Sequence, residues 1–235
     1  MKTYKSGCLI CGKPLKYFKT AKPLKCKLCG FFFESNAVCE NGHFVCDTCH
    51  SKTAYEHITQ SAKQTKEKNP VHIAMDMMKN PFVNTHGPEH HYLVVAALLA
   101  AYKNVGGKID LDKSLSKAQQ RAKDVPGGSC GMWGCCGAGT GTGIFISIVT
   151  EATPLSIEEW GLANLMTAES LMDISRNGGP RCCKRNTLLS IERGIEFTEK
   201  HLNLKMEKPQ NIQCPFFKNN PTCKKKKCLY YPLRA

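Results

Sequence analysis

Between residues 71 and about 204 apolar side chains recur at helical spacing; on either side of that stretch they do not. Residues 71–79 predict one short helix. Pro88 suits the first turn of a helix over 89–104, where its missing N–H has no partner to lose, and Gly106-Gly107 ends it. Residues 110–125 are amphipathic and stop at Pro126-Gly127-Gly128. The small and β-branched residues of 139–150 predict a buried helix, with a strand as the alternative. Ser156-Ile-Glu-Glu159 reads as a capping box opening a helix that runs to Arg176. Asn177-Gly-Gly-Pro180 breaks the chain, and 182–202 supply the last long helix. Helices joined by short loops predict an α-helical bundle.

Residues 1–50 have no such period. Glycines follow paired cysteines, and Phe31-Phe32-Phe33 lies between two pairs, which suits short hairpins organised by metal. Residues 51–70 are polar and read as a linker or a solvated helix ending at Pro70. Residues 205–235 read as an irregular Cys-, Pro- and Lys-rich tail. The expected fold is mainly α: a helical bundle at 71–204, preceded by a small zinc-binding hairpin or ribbon module.

Fifteen cysteines change this picture most. They fall into three groups, and most stand in pairs or near-pairs. The amino terminus has no apolar core of the kind a secretory signal carries, so a disulfide scaffold is not expected. In a reducing, cytoplasmic setting this density points to metal or thiol chemistry. The longest apolar runs, 92–102 and 143–149, fall short of the roughly 20 residues that span a bilayer, so no membrane partner is expected.

The formal net charge of +14 is concentrated at the ends: +7 over 1–70, zero over 71–204 and +7 over 205–235. Seven thiolates and two Zn²⁺ would lower the first segment to about +4. Basic residues that offset metal–thiolate charge are one reading of the excess. A surface for nucleic acid or an acidic protein partner is the other.

Cys8-Leu-Ile-Cys11-Gly12 and Cys26-Lys-Leu-Cys29-Gly30 are two copies of C-x-x-C-G. Two intervening residues let both sulfurs reach one ion at about 2.3 Å, and the glycine allows the tight knuckle turn. Two such knuckles give a zinc-ribbon signal, although the same geometry also holds iron. Cys39-Glu-Asn-Gly-His43-Phe-Val-Cys46-Asp-Thr-Cys49-His50 follows. Its spacing resembles the middle of a RING finger, but no further pair follows it, so ubiquitin-ligase activity is not implied. Four ligand pairs suffice for two zinc ions. Both interleaved and sequential pairing fit the spacing, with His50 as an alternative ligand.

Cysteine loops precede two of the predicted helices. One runs from Pro126 through Cys130, Cys135 and Cys136 into a glycine-rich stretch, and the other is Gly178-Gly-Pro-Arg181-Cys182-Cys183-Lys184-Arg185. Helix starts and neighbouring cations favour thiolates and anions. Three readings compete. In one, an iron–sulfur cluster is held by four of Cys130, Cys135, Cys136, Cys182 and Cys183, with Arg181 and Arg185 as an anion site. In the second, these cysteines form a redox-active or sulfur-carrying pair. In the third they are simply small hydrophobes at tight packing points. The glycines are not a phosphate loop, because no Gly-Lys-Ser/Thr follows.

His86-Gly-Pro-Glu89-His90 reads H-x-x-E-H and resembles the inverzincin signature, in which histidines bind zinc and the glutamate acts as base. That gives a zinc-hydrolase alternative, with Glu151, Glu158 or Glu169 as third ligand; helix capping is the bland one. The tail offers Cys214, Cys223 and Cys228, three metal ligands without a fourth. Either the bundle lends it one, or a cluster sits there with an open iron.

Four segments together resemble an uncharacterised domain family of anaerobic bacteria and archaea, sometimes found beside a methyltransferase domain. They are residues 39–46, His86-Gly-Pro-Glu-His-His91, Pro126-Gly-Gly-Ser-Cys130-Gly-Met-Trp-Gly-Cys135, and 178–185. Cys136 departs from the small residue expected there. The resemblance implies no reaction. A fainter likeness is to small helical proteins described as redox-active. The functional expectation is iron–sulfur or thiol-based redox or sulfur-handling chemistry. Cys130, Cys135, Cys182 and Cys183 would be central to it, and His86, Glu89 and His90 would supply proton or metal groups. The docking-module and zinc-hydrolase readings stand beside it.

Overall fold

A computed structural model describes residues 7–233, and the chain divides into two units, Met1–Lys52 and Thr53–Ala235. The first unit is built on an antiparallel pair, β1 (Leu15–Lys25) and β2 (Phe32–Cys39), in register from Leu15 opposite Cys39 to Lys25 opposite Phe32. A bulge between Tyr17 and Lys22 interrupts the ladder. There Asn36 donates its side-chain amide to the Phe18 carbonyl at 3.3 Å.

The described residues are mainly helical, as the hydrophobic period predicts. Helix α1 (Asp47–Gln64) carries the boundary between the units; α2 (Pro70–Lys79), α3 (Glu89–Asn104), α4 (Leu111–Lys123), the short α5 (Ser129–Met132), α6 (Gly137–Val149), α7 (Glu158–Asn177) and α8 (Cys183–Leu202) follow. Helix α3 is buried on every side from Glu89 to Ala101 and packs on α2, α4, α6 and α8. A helix apolar all round is a core helix. It is the axis of the second unit.

Stretch 139–150 falls in a helix, α6, despite the four glycines of Gly137–Val149, which each cost about 1 kcal/mol of helix propensity. Close approach explains them. A Cβ on Gly141 would lie 2.8 Å from the His91 carbonyl oxygen of α3, and one on Gly143 would lie 2.9 Å from that of Ala163 in α7. Helix α6 is thereby wedged between both neighbours.

Two expectations are corrected. The capping box at 156–159 does not form. The Ser156 hydroxyl accepts the Thr153 N–H at 3.0 Å and closes a turn, and α7 begins after Ile157 with no side-chain cap. Nor are residues 51–70 a linker. Ala54, Tyr55, Ile58 and Ala62 are buried, a stripe at helical spacing that the surrounding polar residues disguise. The tail after α8 folds back on the second unit: Met206 and Tyr230 are buried, and the Tyr230 hydroxyl donates to Glu192.

Two candidate metal centres and a cysteine-rich helix start

In the first unit two knuckle pairs lie beside each end of the hairpin. At the Cys39 end, Cys8, Cys11, Cys39 and His43 bring their ligand atoms within 4.8 Å of one another; at the other end Cys26, Cys29, Cys46 and Cys49 do the same. The pairing is therefore interleaved, first with third and second with fourth. Cys11 and Cys39 sulfurs are 3.4 Å apart, His43 Nδ1 lies 3.3 Å from the Cys11 sulfur, and Cys29 and Cys46 sulfurs are 3.8 Å apart. A tetrahedral ion with 2.3 Å bonds sets its ligands about 3.8 Å apart, so both groups can hold a metal ion. His50 is outside both.

Backbone N–H groups favour the thiolate at Cys26 and Cys39, whereas burial raises Cys8, Cys46 and Cys49. Gly12 and Gly30 take positive φ, +74° and +77°, which only glycine adopts cheaply, and close the turns. Burial raises the Cys26 thiol, but the N–H groups of Cys29, Cys46 and Leu28 outweigh it and bring the group down to about 6. Among the described residues of this unit the buried apolar side chains are Cys8, Cys26, Cys39 and Cys46, all of them ligand candidates. Among the described residues, this unit buries no apolar side chain apart from these cysteines. Its hairpin surface combines exposed Tyr17, Phe31 and Phe32 with Lys16, Lys19, Lys22 and Lys25.

In the second unit the tail cysteines and Cys136 gather at the start of α8. Cys182 is the N-cap, its sulfur accepting the Arg185 N–H at 3.4 Å, and Cys183 is the first helical residue. These neighbours go to different places. Cys182 joins Cys214, Cys223 and Cys228 of the tail around one pocket, which also includes Lys184, Arg185 and Lys224. Cys183 instead interacts with Cys136, Arg181 and Glu89, and Cys136 and Arg181 act in turn on Cys130. The Cys136 sulfur accepts from the Asn186 side chain at 3.3 Å, and Cys135 pairs with the Thr140 hydroxyl at 3.0 Å.

Helix-start thiols were expected to be acidic; burial wins instead. It raises Cys130 and Cys182, pushes Cys183 up to about 12 against the Gly87 N–H and Arg181, and pushes Cys214 up to about 11. Burial likewise lowers Lys184 to about 8, opposed by Glu89. Arg185, expected at an anion site, spends its guanidinium on the Gly178 and Pro180 carbonyls at 2.8 and 3.1 Å.

The H-x-x-E-H segment is a structural network. His90 donates from Nε2 to the Asn84 carbonyl at 3.0 Å, which leaves Nδ1 to accept from the Thr187 hydroxyl at 3.2 Å. Both ring nitrogens are thus committed. Burial holds His90 down at about 4. Glu89 Oε1 accepts from the Asn84 backbone and side chain at 2.8 and 3.1 Å, and His86 contacts Thr222 of the tail at 3.4 Å. Glu151, Glu158 and Glu169 join no group of three or more close donors among the described residues. Sequence reasoning offered a bundle residue as a partner for the tail cysteines but did not identify Cys182, and it missed the supporting Asn220, Lys184 and Phe216. The incomplete set of three tail cysteines was the only signal for it.

Fold and site together define a cysteine-rich, mainly α protein whose first unit contains two groups that could hold metal ions. The chain belongs to the family of unknown function DUF5714, whose model matches residues 58–231, nearly all of the helical unit and its tail. Searches of curated proteins and of solved structures found no match. Among the described residues no helix is long and apolar enough to cross a membrane.

Because the first unit buries little besides its ligands, metal removal is expected to unfold it while the helical unit stays folded. Structural zinc contributes roughly 10–16 kcal/mol to such modules. Stripping metal under reducing conditions should collapse the NMR amide shifts of residues 8–46 and leave those of α3 and α6 in place. Retention of the hairpin signals after complete metal removal would contradict this.

Proposed function

We propose that this protein is an electron-handling metalloprotein, with two structural zinc ions in the first unit and an iron–sulfur centre in the helical unit. One observation carries the reading. Cysteines from two separate stretches, the start of α8 and the tail, converge on one pocket beside Lys184, Arg185 and Lys224. Fixed N–H donors point at several of the sulfurs, an arrangement that sets cluster potential. The centre would accept one electron from a reduced protein or small-molecule donor and pass it to an acceptor. No bond is made or broken, and the cluster charge changes by one.

Protein purified without oxygen should contain about two zinc per chain together with iron and acid-labile sulfide in equal amounts. Its broad visible absorption should bleach with one electron and return on reoxidation. Colourless protein that holds zinc alone, even after reconstitution with iron and sulfide, would sink the reading.

A second reading concerns the first unit alone. Lysines interleaved with exposed Tyr17, Phe31 and Phe32 suit a single-stranded nucleic acid, through phosphate contacts and base stacking. Affinity for such a strand should fall steeply with salt and weaken on Phe32→Ala; a flat salt response would exclude it.

A further inference from the structure

The tail has little core of its own, yet it returns three cysteines to one place. Cys214, Cys223 and Cys228 meet Cys182 of α8 around one pocket. The missing fourth ligand of the tail is thus a residue of the bundle.

The spacing of the sulfurs separates one ion from a cluster. Among the described residues, three or more metal-type donors fall within 4.8 Å of one another in two places, both in the first unit. The first unit thus offers groups compact enough for a single ion, whereas here no three of the four sulfurs lie within 4.8 Å of one another. A lone tetrahedral ion would hold them at about 3.8 Å. A cuboidal cluster interposes its own iron and sulfide between the ligands and needs the wider frame.

The surroundings fit an anionic sulfur-rich body. Cys182 accepts from the Arg185 N–H at 3.4 Å and from the Asn220 side chain at 3.5 Å, and Cys223 accepts from the Lys225 N–H at 3.4 Å. The start of the long helix α8 contributes its positive end, and Lys184 and Lys224 line the same pocket. Aromatic rings form the rest of the wall. Phe216 holds the Lys184 ammonium 4.4 Å from its ring centre, and Tyr230 is buried. Ligand, counter-charge and cover come from two parts of the chain that meet there.

We propose that Cys182, Cys214, Cys223 and Cys228 ligate one four-iron iron–sulfur cluster, with the tail acting as the clasp that closes over it. Cys130, Cys136 and Cys183 lie outside that ligand set. The inference rests on the metalloprotein reading above and narrows it to one site.

The test uses the full chain, purified anaerobically and reconstituted with ferrous iron and sulfide, in three forms: unaltered, Cys223→Ser and Cys130→Ser. Cys223 lies in the irregular tail, so its loss leaves the helical core intact, which the far-ultraviolet circular dichroism verifies. The expected result is about four iron and four sulfide in the unaltered protein. Cys130→Ser should retain both, and Cys223→Ser should lose at least one iron per cluster or the whole cluster. A full cluster in Cys223→Ser that is lost in Cys130→Ser would overturn the site and leave the metalloprotein reading standing. A third zinc in the unaltered protein, with no iron or sulfide, would overturn both.

Discussion

Consecutive residues at a helix start send their side chains in different directions, and the second unit depends on this at Cys182 and Cys183. Cys182 is extended, with φ −144° and ψ 102°, and its sulfur caps the helix. Cys183 is the first residue of α8 proper. One sulfur therefore faces the tail, and the next faces Cys136 and the loop before α3. Two adjacent thiols that could not share one ion serve two neighbourhoods. The long buried helix behind them, packed on α3 and α6, fixes both directions.

Metal held by the two Cys groups would do in the first unit what apolar burial does in the second. Helix α3 contributes an unbroken run of buried side chains, and the glycines of α6 bring its neighbours close enough to fill the space between them. The first unit buries its sulfurs and little else. A chain segment of that size without a core needs a cross-link, and the interleaved ligand pairs provide one at each end of the hairpin. The tail is an intermediate case, partly anchored by Tyr230 and Met206 and partly by whatever its cysteines hold.

Much of this was legible in the sequence where the signal is local. The 3.6-residue period marked α3 and α8, Asp110 was readable as the start of α4 and caps Lys113 at 3.0 Å, and the C-x-x-C-G knuckles marked the first unit. Long-range pairing was not. Interleaved and sequential ligand pairing fit the same spacing, and only the hairpin register decides between them. Cys182 and Cys183 looked like one pair because adjacency hides divergence. His86-x-x-Glu89-His90 looked catalytic because residue type is visible in a sequence, whereas the Asn84 and Thr187 contacts that occupy His90 are not. Ser156 failed as a cap because Thr153, three residues earlier, offered its hydroxyl a closer turn. The stripe Ala54, Tyr55, Ile58 and Ala62 was present in the sequence but diluted by lysine and glutamine.

Anomalous scattering at the iron and zinc absorption edges, from crystals of anaerobically purified protein, tests the central claim most directly. The account predicts zinc signal at the two knuckle sites, bounded by Cys8, Cys11, Cys39 and His43 and by Cys26, Cys29, Cys46 and Cys49. It predicts iron signal framed by Cys182, Cys214, Cys223 and Cys228. Iron beside Cys130, Cys136 and Cys183 instead, or zinc alone throughout the chain, would contradict it.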